Sequence, residues 1–170
     1  MPKEIQLSNS IENFLEIILE LERRNKVARA KDIAEKLGIQ RGSVTGALKK
    51  LEEKKLINYE PYSFITLTEK GGQIAKAVTR RHTVLKDFLS KVLQLEEETA
   101  ESTACRMEHA IDESGINRLA DFLEYFFQCP RTGEDWIQTF IENSQSGKRD
   151  WEKCDQCLDN CKTRHKRNIF

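Results

Sequence analysis

Residues 27–51 have the sequence VARAKDIAEKLGIQRGSVTGALKKL, which predicts two short helices separated by a tight turn. Gly38 follows the first helical segment and can end it, because glycine readily adopts the left-handed conformation found after helix C-termini. In the second segment Val44, Leu48 and Leu51 recur at helical spacing, so we expect them to form its buried face. This order of helix, glycine turn and helix predicts a helix-turn-helix motif.

The outer face of the second helix carries small polar and basic side chains near its N-terminus. Such side chains can approach base edges and phosphates in a major groove, so we expect this face to bind double-stranded DNA. The predicted DNA-binding residues are Gln40, Arg41, Ser43, Thr45 and Lys49.

Two short β-prone segments follow this helix at residues 56–60 and 64–68, and residues 61–63 can form the turn between them. An amphipathic helix is expected before the motif, over residues 10–24. Together these elements predict a winged helix-turn-helix domain in residues 1–72. The alternative is a helix pair and hairpin that bind no DNA. It is disfavoured because the glycine turn, the basic helix and the hairpin agree in order and spacing.

Three further helices are expected after the wing, over residues 73–93, from about residue 97 to Ile111, and over residues 116–127. Helices of this size after a complete DNA-binding unit suggest a dimerisation domain. With the candidate metal ligands described below, residues 73–128 are predicted to form a helical metal-binding and dimerisation domain. We therefore expect a mainly α fold with a small β wing. A Cys-rich C-terminal extension, residues 129–170, follows it.

A candidate metal site lies in residues 103–110, TACRMEHA. On a helix Cys105, Glu108 and His109 stand at i, i+3 and i+4, so they project from one face within reach of a single ion. A thiolate, a carboxylate and an imidazole suit a divalent transition metal better than Mg²⁺ or Ca²⁺. His82, in the preceding helix, is the expected distant partner. The alternative is a partly buried cysteine beside a solvated Glu-His pair.

The composition of the 170-residue chain restricts its function. Its 28 basic and 28 acidic residues give zero net charge, so affinity for DNA must come from a local patch. No apolar run approaches the ~20 residues needed to span a bilayer, and no secretory pattern is present, so we expect a cytoplasmic protein without a membrane partner. An enzyme is not expected, because the spacing of Cys105 and His109 suits shared coordination better than proton transfer.

Four of the five cysteines fall in the C-terminal extension, as Cys129, Cys154, Cys157 and Cys161. In a cytoplasmic protein such cysteines are more often metal ligands than disulfides, and these four can supply a closed thiolate site for Zn²⁺ or an iron-sulfur cluster. Zinc is preferred, because the polar surroundings would expose a cluster to oxygen. Surface thiols in a disordered tail are the alternative. An alternative function is a winged-helix regulator that senses redox or iron-sulfur status through these cysteines.

Five short segments resemble the metal-dependent repressors of the diphtheria-toxin-repressor and manganese-transport-regulator (DtxR/MntR) family. They are AKDIA at 30–34, SVT at 43–45, LTEKG at 67–71, RRH at 80–82 and CRMEH at 105–109. The resemblance covers residues 8–128. It implies a homodimer that binds Fe²⁺ or Mn²⁺ as corepressor and then an inverted-repeat operator of metal-uptake or homeostasis genes.

The resemblance also implies the positions of the metal ligands. His82, Cys105, Glu108 and His109 match ligand positions of the family, and Glu16 falls where the manganese branch has a first-helix carboxylate. Metal binding is then expected to tie the dimerisation helices to the first helix and so set the spacing of the recognition helices.

Two positions depart from the family's pattern. Asn13 stands where the family has Met or Asp, so a ligand at this position would be a weaker amide oxygen. Lys86 stands one turn after His82, where the iron branch has a glutamate in its second metal site. A charged lysine repels a cation, so a two-site iron arrangement is not expected. Glu101, one turn before Cys105, could compensate as a ligand.

Overall fold

The computed structural model describes residues 8–60, 63–128 and 134–146, together with Asp155 and Asp159. Its elements in chain order are α1 (Asn9–Asn25), α2 (Ala30–Leu37), α3 (Arg41–Glu53), β1 (Ile57–Asn58), β2 (Thr66–Leu67), α4 (Glu69–Asp87), a π-helical segment (Phe88–Val92), α5 (Glu97–Met107), α6 (Glu113–Gln128) and α7 (Glu134–Ser146). This mainly α fold with a small β wing is the predicted one. The chain divides into two compact units between His82 and Thr83, inside α4.

The N-terminal unit contains the predicted helix-turn-helix. Gly38 ends α2 in the left-handed conformation, with φ +65°. Its N–H donates to the Glu35 carbonyl at 3.3 Å, and the next N–H donates to the Ala34 carbonyl at 3.1 Å. The buried face of α3 is the predicted one, since all its members are fully buried: Val44, Leu48 and Leu51. They share one apolar core with Leu15 and Ile18 of α1, so α1 and α3 pack around the same interior.

The wing is shorter than predicted. β1 and β2 pair antiparallel through two residues each, with Ile57 opposite Leu67 and Asn58 opposite Thr66. The Thr68 N–H then donates to the Leu56 carbonyl at 3.0 Å, which brings the start of α4 against the end of the helix-turn-helix. A Cβ atom on Gly71 would clash with the Leu56 carbonyl oxygen. Only glycine therefore allows this close approach.

The C-terminal unit holds two small apolar clusters. One contains Leu85, Leu89, Ala100, Ala104 and Ile116, and the other contains Val92, Leu123 and Phe126. The predicted α-helix through Leu93 is wrong in its last turn, because residues Phe88–Val92 form a π-helix in which the Leu93 N–H donates to the Phe88 carbonyl. Within this segment Leu89 belongs to the first cluster and Val92 to the second.

The helix that carries the candidate ligands also ends earlier than predicted, at Met107 rather than near Ile111. The Ala110 and Ile111 N–H groups both donate to the Met107 carbonyl, and residues 108–110 form a turn after the helix. Asp112 then caps α6, since its Oδ1 accepts a hydrogen bond from the Gly115 N–H at 2.6 Å. Among the helices that the structure describes, we find no candidate for a membrane-spanning segment.

Candidate functional site

Two of the predicted metal ligands lie close together in the N-terminal unit. A carboxylate oxygen of Glu16 and a ring nitrogen of His82 lie within 4.8 Å of each other, and both side chains are half-buried. Glu16 lies on α1 at the edge of the apolar stripe. His82 follows the buried Val78 by one turn of α4. An oxygen and a nitrogen donor on neighbouring helices can share one cation.

An ion pair joins the same two helices beside these ligands. Arg81 Nη2 donates to Glu12 Oε2 at 3.0 Å, and both side chains are about one-fifth exposed, at 20% and 18%. Because Glu12 precedes Glu16 by one turn and Arg81 directly precedes His82, the pair helps to fix how the carboxylate faces the imidazole. Asn13 directly follows Glu12 on α1. Its Oδ1 is buried and has no hydrogen-bond partner among the described residues.

Three further predicted ligands lie around the end of α5 in the C-terminal unit. Glu108 is fully buried, and its Oε1 lies 3.3 Å from Nε2 of His109, whose side chain is only 5% exposed. Cys105, one turn earlier, is half-buried and forms no disulfide with any described residue. A carboxylate buried in this way is stable only when positive charge or hydrogen bonds compensate it. Glu108 and His109 therefore form the type of donor pair that a divalent cation stabilises.

Lys86 is paired with two carboxylates of α5. Its Nζ lies 2.8 Å from Glu101 Oε2 and 2.6 Å from Glu97 Oε1. The hydrogen bonds to Glu101 and then to Glu97 raise the pKa of Lys86 above its ordinary value. Its ammonium group already neutralises charge at Glu101, so a metal ion would have to displace it in order to bind there.

A basic cleft of about 730 Å³ lies on the helix-turn-helix and wing. Three of the predicted DNA-binding residues line it, namely Arg41, Thr45 and Lys49, and the Thr45 hydroxyl donates to the Arg41 carbonyl at 3.1 Å. The other two, Gln40 and Ser43, are exposed at the start of the same helix. Such a surface can hold the phosphate backbone while the start of α3 reaches base edges.

Among the lining residues that sequence reasoning missed are Arg29, Lys31 and Phe64. The two basic residues flank the start of α2, and their charge close to the predicted motif was the available signal. Phe64 carried no such signal, because aromatic residues in short strands are most often explained by packing.

Family models match most of the chain. Residues 6–65 match the model described as "Iron dependent repressor, N-terminal DNA binding domain", and residues 68–137 match "Iron dependent repressor, metal binding and dimerisation domain". The chain belongs to the iron-dependent repressor family. The resemblance inferred from the sequence segments is thereby confirmed.

Individual relatives agree with this assignment. An uncharacterized HTH-type transcriptional regulator of Methanocaldococcus jannaschii is 41% identical over 121 residues, which cover 71% of this chain and 97% of that protein. The HTH-type transcriptional regulator MntR of Bacillus subtilis is 34% identical over 69% of this chain and 82% of its own length. The solved structure of the manganese regulator SloR is 30% identical, with a TM-score of 0.61 over 68% of this chain. The chain spans about half, 54%, of that structure.

Two functions were expected from the sequence, metal-dependent regulation and sensing of redox or iron-sulfur status, and the family assignment distinguishes them. A metal-dependent DNA-binding transcriptional regulator is confirmed over a regulator of redox or iron-sulfur status. The matching models describe DNA-binding, metal-binding and dimerisation domains, which supports a homodimer that binds DNA.

Proposed function

We propose that this protein is a repressor of metal-uptake or metal-homeostasis genes that Fe²⁺ or Mn²⁺ activates for operator binding. The observation that carries the proposal is the fully buried Glu108 beside His109, in the segment that matches a metal-binding and dimerisation domain. A buried carboxylate next to an imidazole fits a cation-binding role better than a packing role.

The proposed ligands are His82, Cys105, Glu108 and His109, completed by Glu16 or Asn13. The donor chemistry supports this set, since imidazole, thiolate and carboxylate together suit a borderline divalent ion. The bound ion would supply positive charge to the Glu16 and Glu108 carboxylates. Fe²⁺ and Mn²⁺ lie close together in the affinity series, so geometry and supply select between them.

The packing of α1 supports a route from the ligands to the DNA-binding surface. Glu16 is flanked on α1 by Leu15 and Ile18, which share one core with Leu48 and Leu51 of α3. Because elements that share one close-packed core move together, a change in the position of α1 would be transmitted to α3. Metal binding favours the operator-binding arrangement only if the ligands bind the ion more tightly in that arrangement than in the other.

The test of this function is an anaerobic titration with Fe²⁺ and with Mn²⁺. The DNA would be a duplex selected from a random library by the metal-loaded protein. We expect metal to raise the affinity for this duplex by about 5- to 150-fold, the usual range of allosteric coupling. We also expect one exchangeable ion per chain at this site. A second ion at Glu97 and Glu101 is disfavoured, because Lys86 forms ion pairs with both carboxylates. The proposed function is contradicted if chelated protein binds the duplex as tightly as metal-loaded protein does. A duplex of scrambled sequence is the control.

The proposed operator is an inverted repeat, because a two-fold dimer places two recognition helices in successive major grooves. In each subunit Gln40, Ser43 and Thr45 are proposed to contact bases or phosphates. Arg41 and Lys49 are proposed to contact mainly phosphates, which fix the position of α3 without reading sequence.

Arg41→Ala and Lys49→Ala should each weaken binding to specific and scrambled duplexes alike. Each lost phosphate contact should lower the slope of log affinity against log salt concentration by about one unit. Fluorescence anisotropy over a salt series measures both quantities. Lys54→Ala is the matched control, since Lys54 is an exposed lysine at the opposite end of α3. Unchanged slopes in both test variants would place the DNA surface elsewhere.

The predicted site at Cys129, Cys154, Cys157 and Cys161 lies outside the described residues. Its occupant is therefore proposed from the cysteine spacing alone. Zn²⁺ is preferred over an iron-sulfur cluster, because polar residues surround these cysteines in the sequence.

A further inference from the structure

A backbone bridge joins the wing to the residue that precedes α2 by two positions. The Ile65 N–H donates to the Ala28 carbonyl at 2.9 Å, and the Ala28 N–H donates to the Ile65 carbonyl at 3.4 Å. In an antiparallel pair, the residue after one bridge partner lies opposite the residue before the other. The bridge therefore places Arg29 opposite Phe64.

The two side chains are in contact across this bridge. Arg29 Cζ lies 5.2 Å from the centroid of the Phe64 ring, within the distance of about 6 Å over which a guanidinium is attracted by an aromatic face. Phe64 is 51% exposed, so burial in a core does not account for its position. Both side chains line the basic cleft beside α3.

The cleft has the charge expected of a phosphate site. Arg29 joins Lys31, Arg41 and Lys49 in lining it. Arg29 also stands at the N-cap of α2 with extended backbone, φ −126° and ψ 146°. The N-terminus of a helix adds a favourable field for an anion at this position.

We propose that Phe64 is a positioning residue for DNA binding, whose ring holds the Arg29 guanidinium in the cleft where it contacts a DNA phosphate. This assignment rests on the family's DNA-binding role. A long exposed side chain samples many rotamers, which a phosphate contact has to restrict. An arginine already held against a ring loses less rotamer freedom on binding, so the contact is stronger. The wing then contributes to affinity through α2.

The experiment is a double-mutant cycle with Arg29→Ala, Phe64→Leu and the double variant, in duplex DNA binding at several salt concentrations. Leucine keeps apolar bulk at position 64 and removes the aromatic face. Phe64→Leu should weaken binding about two- to fivefold, the size of an exposed cation–π contact. In the Arg29→Ala background it should have no effect. Arg29→Ala should lower the salt slope by about one unit, and Phe64→Tyr, which keeps the ring, should bind like the wild type.

The outcomes separate the alternatives. Equal losses from Phe64→Leu in both backgrounds would show that the ring contacts DNA directly, and the proposal would be overturned. It would also be overturned by an unchanged affinity in Phe64→Leu. Melting temperatures of all variants without DNA check that the wing bridge has survived, and ring-current shifts of the Arg29 δ protons report the contact itself. If the wild-type protein binds no duplex, the DNA-binding role itself is contradicted. If the effects in the cycle are additive, only the role of Phe64 is contradicted, and the DNA-binding role stands.

Discussion

Replacing His109 by glutamine should abolish the response of DNA binding to Fe²⁺ or Mn²⁺ while leaving a folded protein. The His109 side chain is 5% exposed and its Nε2 lies 3.3 Å from Glu108 Oε1, so the proposed nitrogen and oxygen donors are adjacent. Loss of a partner that only orients a metal ligand lowers affinity or activity by about 10- to 100-fold, and loss of a ligand should cost at least as much. Glu108→Gln should behave in the same way, because an amide binds a divalent cation more weakly than a carboxylate.

The measurement is a competition titration against a metal-binding dye, followed by DNA binding with and without metal. Glutamine is close in size to both residues, so the chelated variants should melt within a few degrees of the chelated wild type. Glu98→Gln is the matched control, because it removes an exposed carboxylate from α5, the helix that ends just before Glu108. If a variant keeps its metal response, the replaced residue is not a ligand. If the chelated variants are unfolded, Glu108 and His109 instead have a structural role.

Helix-level features were the ones that the sequence predicted well. Gly38 ends α2 as expected, and Val44, Leu48 and Leu51 form the buried face of α3, because helix ends and amphipathic faces depend on nearby residues. The end of α5 was misplaced, because it depends on how Asp112 caps the next helix. The two-residue strands were also shorter than expected, since strand length depends on pairing between distant segments.

In the candidate sites too, features set by nearby residues were predicted and features set by distant residues were not. Glu108 and His109 are adjacent in sequence, so their closeness is local, although both lie beyond the end of the helix on which they were predicted. The ion pairs of Arg81 with Glu12 and of Lys86 with Glu97 were not predicted, since helical periodicity does not show which helices become neighbours. The placement of Arg29 in the cleft likewise depends on a bridge between two segments far apart in sequence.

The exposed aromatic side chains of α6 are proposed to contact a second copy of this chain. Phe122 is 44% exposed and Tyr125 is 64% exposed, and they lie one turn apart on one side of the helix. The inner side of Phe122 contacts Phe88 and Phe126, with centroid distances of 6.5 and 5.7 Å, so the ring is anchored in the unit and presents its other side outward. Neighbouring exposed aromatic side chains on a helix mark an interaction surface. This helix falls in the segment that matches a dimerisation domain.

Tyr125→Glu and Phe122→Glu should therefore convert the dimer to a monomer and remove high-affinity operator binding. An aromatic residue at the centre of an interface contributes roughly 2–4 kcal/mol, which corresponds to about a 30- to 700-fold change in the dissociation constant of the dimer. An inverted-repeat operator requires two linked recognition helices, so a monomer keeps only the weak affinity of one half-site. Analytical ultracentrifugation measures the dimer, and anisotropy measures DNA binding. Asn117→Glu, which adds the same charge elsewhere on α6, should stay dimeric, as should Tyr125→Phe. A Tyr125→Glu protein that remains dimeric at low micromolar concentration would exclude this surface as the dimer contact.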